Sequence, residues 1–179
     1  WGIYAGMTGT LIVLLVFGGM SVFDSICHAF TTTSTGGFST KQASIEYYHS
    51  PYIDYVISIF MFLSGINFTL LLLMFNGKIK KFIHAELKFY FWCVSFFTIF
   101  IAVWLHQTSS MEIEEAFRKS LFQVISLQTS TGFATADYML WPSILWGCLL
   151  IVMIIGACAG STTGGIKCIR MVILFQVVK

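Results

Sequence analysis

Thr31-Thr32-Thr33-Ser34-Thr35-Gly36-Gly37-Phe38-Ser39-Thr40 and Thr129-Ser130-Thr131-Gly132-Phe133-Ala134-Thr135 share one pattern, with Gly37-Phe38-Ser39-Thr40 aligning on Gly132-Phe133-Ala134-Thr135. Each follows a short apolar segment, residues 23–33 in the first copy and 116–127 in the second. Each then leads through an aromatic, Pro-containing entry into a longer apolar run, residues 52–75 and 142 onward. Further apolar runs precede the short segments at 1–19 and 89–107, and Phe30 falls opposite Ser126 to within a residue or so. The unit is span, half-span, span, and it occurs twice, the mark of a duplicated structural module.

The longer runs are membrane-like. The sequence is 57% apolar and 10% charged, outside the usual balance of a soluble domain. Residues 1–23, 55–75, 89–105 and 138–166 contain no Asp, Glu, Lys or Arg. A helix needs roughly 20 mostly apolar residues to span the hydrocarbon, and one charge at its centre costs roughly 2.5 to 3.5 kcal/mol. A soluble core could hide one such helix, but several in one short chain point to an integral membrane protein. The net charge of +2 is too small to suggest nucleic acid. Lys78, Lys80, Lys81 and Lys88 lie between two spans, and Lys167, Arg170 and Lys179 lie near the C-terminal end. The positive-inside rule places both groups in the cytoplasm. Asp24, Glu46, Asp54, Glu112, Glu114 and Glu115 then lie towards the other face, a contrast diluted by Lys41, Arg118 and Lys119. The five cysteines are an odd number with no CxxC pair, and read as small membrane-core residues. The opening run has no initiator Met, basic flank or cleavage signal, so the natural protein is expected to extend on both sides.

A segment too short to cross must enter the membrane as a half-helix and leave as irregular backbone. Such backbone is tolerated only where protein or a water-filled cavity surrounds it. Gly36, Gly37 and Gly132 allow carbonyl oxygens to turn towards a common axis, and Thr and Ser hydroxyls add uncharged oxygens. Oxygens of this kind suit a hard, singly charged cation, and the preceding half-helix points its dipole at the same place. Ordinary polar capping of helix ends explains either cluster alone, but two equivalent clusters in equivalent places favour an ion pathway. A third feature is Gly156-Ala157-Cys158-Ala159-Gly160-Ser161-Thr162-Thr163-Gly164-Gly165-Ile166-Lys167, inside the last span. Gly costs roughly 1 kcal/mol against Ala in a helix, so the run predicts an unwound segment in mid-membrane, read as a flexible gate. Tight helix packing through small residues is the alternative. A phosphate-binding loop fails on spacing, because Gly165 is followed by Ile166, Lys167 and Cys168.

Together with Phe23-Asp24-Ser25-Ile26-Cys27-His28-Ala29-Phe30, these motifs resemble the Trk/Ktr/HKT superfamily of cation transporters, and within it the TrkH-type translocating subunits. The resemblance covers nearly the whole chain. It implies an all-α integral membrane protein, with four M1-P-M2 repeats (outer helix, pore half-helix, inner helix) around one pore. Here residues 1–76 would be one repeat with a partial M1, 77–88 a cytoplasmic loop, and 89–179 a second repeat with the glycine-rich break in its M2. It further implies potassium as the transported ion with no covalent cofactor, a multi-pass position in the plasma (inner) membrane, a homodimer among membrane lipid, and a cytosolic TrkA-type nucleotide-binding ring as partner. Filter residues would be Ser34, Thr35, Gly36, Gly37, Phe38, Thr129, Ser130, Thr131, Gly132 and Phe133. The gate loop would hold Gly156, Gly160, Ser161, Thr162, Thr163, Gly164 and Gly165. Two repeats cannot close a four-repeat pore, so conduction would belong to the parent protein. In that superfamily a serine replacing a filter glycine goes with sodium permeation, so Gly37 and Gly132 lean towards potassium over sodium or mixed cations.

The remaining polar residues take plainer readings. His28 is expected to be a hydrogen-bonded structural histidine, with pH sensing as the alternative. His49, His84 and His106 suggest no metal site. Asn67-Phe68-Thr69 matches a glycosylation sequon buried in a predicted span, where Ser64 and Asn67 are expected to hydrogen-bond between helices. Asp24 is expected to cap the pore half-helix or draw cations to its mouth. A membrane-embedded enzyme would need a nucleophile, a base and an orienting acid together, and His28 and Asp24 lack such a companion. No enzymatic activity is expected.

Overall fold

Where the solvent offers no hydrogen bonds, a chain must satisfy its backbone internally, and helix is the local way to do so. The computed structural model describes residues 2–75, 85–109 and 111–177. Within the first copy run α1 (Gly2–Phe17), α2 (Val22–Thr33), a 3-10 turn (Ser44–Tyr48), α3 (Pro51–Ser64) and α4 (Phe68–Phe75). The second copy has α5 (Ala85–Ser109), α6 (Ile113–Gln128), a 3-10 turn (Tyr138–Leu140), α7 (Ser143–Ile154) and α8 (Cys168–Val177). Among the described residues there is no strand, and the one β-type contact is an isolated bridge between Ile155 and Ile166. The order is span, half-helix, broken span, twice.

The apolar runs at 52–75 and from 142 onward are not continuous helices. The first splits into α3 and α4 around Gly65-Ile66-Asn67, and the second into α7 and α8 around residues 155–167. Helix α5 begins at Ala85, inside the stretch assigned to the inter-repeat loop, so Glu86 and Lys88 are helical. Residues 76–84, with Lys78, Lys80, Lys81 and His84, lie outside the described residues, as does Lys179. Among the described residues α5 alone is long and apolar enough to cross a membrane unaided. Its 25 residues measure about 37 Å at 1.5 Å per residue. α1, α3 and α7 are shorter apolar helices, the last two continued beyond their breaks.

α1 packs on α2 and α3, and α5 packs on α6, α7 and α8. α3 joins the copies by also packing on α6. The shared core includes Leu11, Leu15, Ile57, Met61, Tyr90 and Phe122, all buried. On its other side α5 presents Trp92, Phe96, Ile99 and Val103 outward. A soluble helix would carry charge on such a face.

Candidate functional site

The two half-helices end alike. α2 stops at the C-cap Ser34, with φ −83° and ψ −3°, and α6 stops at the C-cap Thr129, with φ −83° and ψ −1°. The next residue in each copy turns left-handed, Thr35 at φ 53° and Ser130 at φ 56°, and two residues later a glycine does the same, Gly37 at φ 68° and Gly132 at φ 86°. A β-branched residue in that region is a strained outlier, and such strain gathers at functional sites. The hydrogen bonds repeat as well. Gly36 and Gly37 N–H donate to Thr31 O at 2.8 and 3.4 Å, while Thr131 and Gly132 N–H donate to Ser126 O at 2.9 and 3.2 Å. This sets Thr31 opposite Ser126, within one residue of the register expected from the sequence. Each half-helix thus aims the negative end of its dipole at an irregular loop. The amides at Gly36, Gly37, Thr131 and Gly132 are tied back, and Ser34 O and Phe133 O accept from the Thr35 and Ser126 hydroxyls, both at 2.7 Å.

The loops touch each other. A methyl group at Gly37 would run into the Thr131 carbonyl, so only glycine fits there. Beyond the loops, Glu46 N–H donates to Ala134 O at 3.2 Å, and Ser44 Oγ accepts from Ala134 N–H at 3.3 Å. The phenylalanines differ: Phe38 is exposed, whereas Phe133 is buried against the His28 ring with centroids 5.8 Å apart.

Polar side chains brace both half-helices. The N-cap of α2 is Ser21, whose hydroxyl accepts from Asp24 N–H at 3.1 Å, so Asp24 is not the cap. Its carboxylate instead accepts from the Thr40 hydroxyl at 2.6 Å and pairs with Lys41 at 3.4 Å, pinning the chain that leaves the loop. His28 is fully buried, its Nδ1 2.7 Å from Asp24 O and its Nε2 2.9 Å from Ser39 Oγ. A carbonyl can only accept, so Nδ1 carries the proton and neutral Nε2 accepts from Ser39. This is the expected structural histidine. In the second copy Arg118 joins α6 to α3, with Nη1 2.5 Å from Asp54 Oδ2 and Nε 3.1 Å from Glu114 Oε1. Asp54 is buried and Arg118 half-buried, and removing the guanidinium would leave the buried carboxylate unpaired, so this pair helps fix α6, and its loop, against the first copy.

The glycine-rich segment closes on itself. At its neck Gly156 N–H donates to Ile166 O and Ile166 N–H to Ile154 O, both at 3.0 Å. Cys168 N–H donates to Ala157 O at 3.2 Å. A methyl at Gly156 would strike the Gly164 carbonyl, and Gly160 and Gly165 take φ 72° and 75°. Inside the loop Ser161 Oγ donates to Cys158 O at 2.6 Å and lies 2.7 Å from Thr163 Oγ1, while Lys167 Nζ donates to Thr163 O. The loop reaches both half-helix loops: Thr35 Oγ1 donates to Thr162 Oγ1 at 3.1 Å, and a methyl at Gly164 would stand 3.1 Å from Ser130 Oγ. The segment is unwound, as its glycines predict, and lies directly against the two loops.

The residues expected to form the filter and the gate therefore lie in one region, with Phe133 turned into the core. Three features were missed. One is the break at Gly65, where Gly65 O accepts from Cys158 N–H at 3.0 Å and a methyl on Gly160 would stand 3.1 Å from Asn67. Another is Glu86, which accepts from Ala159 N–H at 2.5 Å. The third is the Asp54–Arg118 pair. Among the described residues the side-chain hydrogen bonds of Ser64 and Asn67 are local: Ser64 Oγ donates to Phe60 O in its own helix at 2.8 Å, and Asn67 Oδ1 accepts from Thr69 N–H at 2.8 Å at the start of α4. The spacing held the signal for the first break, since Gly65 stands as far beyond Pro51 as Gly156 beyond Pro142.

The chain resembles known proteins along nearly its whole length. Residues 8–179 match the family model of TrkH, described as a cation transport protein. The chain is 39% identical over 183 residues to the Trk system potassium uptake protein TrkH of Escherichia coli (strain K12), covering 98% of this chain and 37% of that protein. It is 36% identical to TrkG of the same organism over 98% of this chain and 37% of that protein. The crystal structure of the potassium transporter TrkH from Vibrio parahaemolyticus superposes with a TM-score of 0.92 at 35% identity, covering 98% of this chain and 38% of that one. The chain thus spans little more than a third of the length of the relatives it matches. It carries two copies of the span, half-helix, span unit in the arrangement of that transporter fold, and it belongs to the TrkH family of cation transport proteins.

Proposed function

We propose that this chain is part of a potassium-uptake transporter, and that it supplies two of the filter loops around the pore and the gate below them. The observation that carries this reading is the matched pair of loops. Each presents a half-helix C-terminus, a left-handed Thr35 or Ser130, and a left-handed Gly37 or Gly132, with Gly37 seated against the Thr131 carbonyl. Carbonyls turned inward by such backbone replace the hydration shell of an alkali cation, and the half-helix dipoles favour its positive charge. Ser34, Thr35, Gly36, Gly37, Phe38, Thr129, Ser130, Thr131, Gly132 and Phe133 form these loops, although buried Phe133 acts by holding its loop to His28. The loop from Gly156 to Gly165 obstructs the path beneath them, as its contacts from Thr162 to Thr35 and from Gly164 to Ser130 suggest.

In this reading residues 1–76 and 89–179 are successive M1-P-M2 repeats of the parent, joined on the cytoplasmic side. The parent lies in the plasma membrane as a multi-pass homodimer regulated by a TrkA-type nucleotide-binding ring, and it moves the ion without covalent chemistry. A sodium or mixed-cation transporter is the second reading, disfavoured by glycine at both Gly37 and Gly132.

The test is rubidium uptake by a potassium-uptake-deficient cell carrying the full-length parent, with sodium as competitor. Restored growth and weak sodium competition are expected. In Gly132→Ser the left-handed glycine is lost, and sodium competition is expected to rise at least severalfold. An unchanged preference would remove Gly132 from the filter, and failure to restore growth despite membrane insertion and a co-expressed ring would remove potassium uptake.

A further inference from the structure

We propose that Glu86 is the latch of the glycine-rich loop, a positioning residue that holds the loop where it lies beneath the two filter loops. This rests on the reading of that loop as a gate. Glu86 sits in the first turn of α5 and is 7% exposed, an unfavourable place for a carboxylate unless it is hydrogen-bonded. Its Oε1 accepts from Ala159 N–H at 2.5 Å. The need is mutual. An amide in an unwound segment at membrane depth must find an acceptor, and a carboxylate makes roughly twice as strong a bond as a neutral one.

The latch acts where the loop turns. Ala159 precedes Gly160, whose φ of 72° starts the reversal towards Thr162 and the filter loops. One turn along α5, the Tyr90 hydroxyl lies 3.4 Å from Phe62 O, and the Tyr90 and Phe62 rings stack with centroids 4.7 Å apart. Gly65, three residues on, accepts from Cys158 N–H at 3.0 Å. The start of α5 therefore grips the first break, the first break grips the base of the loop, and Glu86 closes the triangle at Ala159. Withdrawing the carboxylate frees Ala159 and Gly160 without touching the neck at Gly156 and Ile166.

The experiment measures rubidium flux through the full-length parent in liposomes. Losing one charged hydrogen bond shifts a two-state loop on the order of tenfold. Glu86→Ala is expected to raise basal flux on that order, and Glu86→Gln, which keeps an acceptor without the charge, severalfold. In a parent whose residues 160–165 are shortened, flux is already high and Glu86→Ala is expected to add nothing. Should Glu86→Ala fail to accumulate as folded protein, Glu86→Gln decides, and wild-type flux in it overturns the latch. An equal rise with Glu86→Ala in the full and the shortened loop also overturns it, leaving the gate intact. Shortening that leaves flux unchanged instead fails the gate reading, and the latch falls with it.

Discussion

The inner helices of the two repeats break at the same place and do different things with the break. Counted from Pro51 and Pro142, the first helix ends at Gly65 and the second just before Gly156. In the first repeat Asn67 accepts from Thr69 N–H through its side chain and from Leu70 and Leu71 N–H through its carbonyl, so helix resumes at Phe68. In the second, Cys158 stands at the matching position and offers no such cap. The chain runs on through Gly160, Gly164 and Gly165 and resumes helix only at Cys168. A break is therefore a common property of the module, and the first copy restarts its helix on a capping residue where the second runs on as a glycine-rich loop. The breaks then pack together, Gly65 O on Cys158 N–H and Asn67 beside Gly160.

The largest expected effect lies at the neck of the long break. A methyl in Gly156→Ala would meet the Gly164 carbonyl and stand 3.1 Å from Gly165 Cα, backbone that cannot rotate away. Overpacking against backbone is expected to cost about 3 kcal/mol and to open the neck. The melting temperature of the full-length protein should fall while its rubidium flux rises. A fall in stability with no change in flux would show that the neck does not control transport.

Gly65→Ala probes the short break and should cost less, about 1 to 2 kcal/mol. The added methyl would lie 2.5 Å from the Tyr90 hydroxyl and 3.0 Å from Thr129 Cγ2, both side-chain atoms that can give way. Tyr90→Phe in the same chain removes the nearer atom and should recover most of the lost melting temperature. Without recovery, the strain lies with the ring itself, whose Cζ stands 3.1 Å from the methyl, or with Thr129 in the loop after α6.

Much of this contrast is written in the sequence, and the rest shows where sequence reading fails physically. The two loops after the half-helices were legible because the same short motif recurs after two half-spans, and left-handed glycine leaves a composition signal. The long break was legible for the same reason, with four glycines inside an apolar span. The short break was not, because Gly65 alone in an apolar run looks like a tolerated helix residue, and Asn67 reads as polar glue until its side chain is seen on Thr69 N–H. Asp24 was assigned the cap that Ser21 holds, since both are capping residues and only geometry tells N-cap from third position. Glu86 and the Asp54–Arg118 pair were hidden by distance: their partners lie 73 and 64 residues away, and no local pattern links them.

The smallest expected effect concerns Asn67, on which helix restarts after the short break. Asn67→Ala removes the side-chain acceptor at the start of α4 and should cost about 1 kcal/mol, the usual worth of an N-cap. The consequence should be local. Thr69 N–H loses its partner, so amide exchange at Thr69 should quicken while the core of α5 stays protected. The side chain also fills the space beside Gly160, so its loss loosens the loop base too, and a modest rise in flux should accompany the faster exchange. If exchange quickens and flux does not move, Asn67 serves only the restart of α4, and the two breaks are joined through the Gly65 carbonyl alone. If both move together, the short break is part of what holds the long one in place, and the first repeat positions the glycine-rich loop of the second.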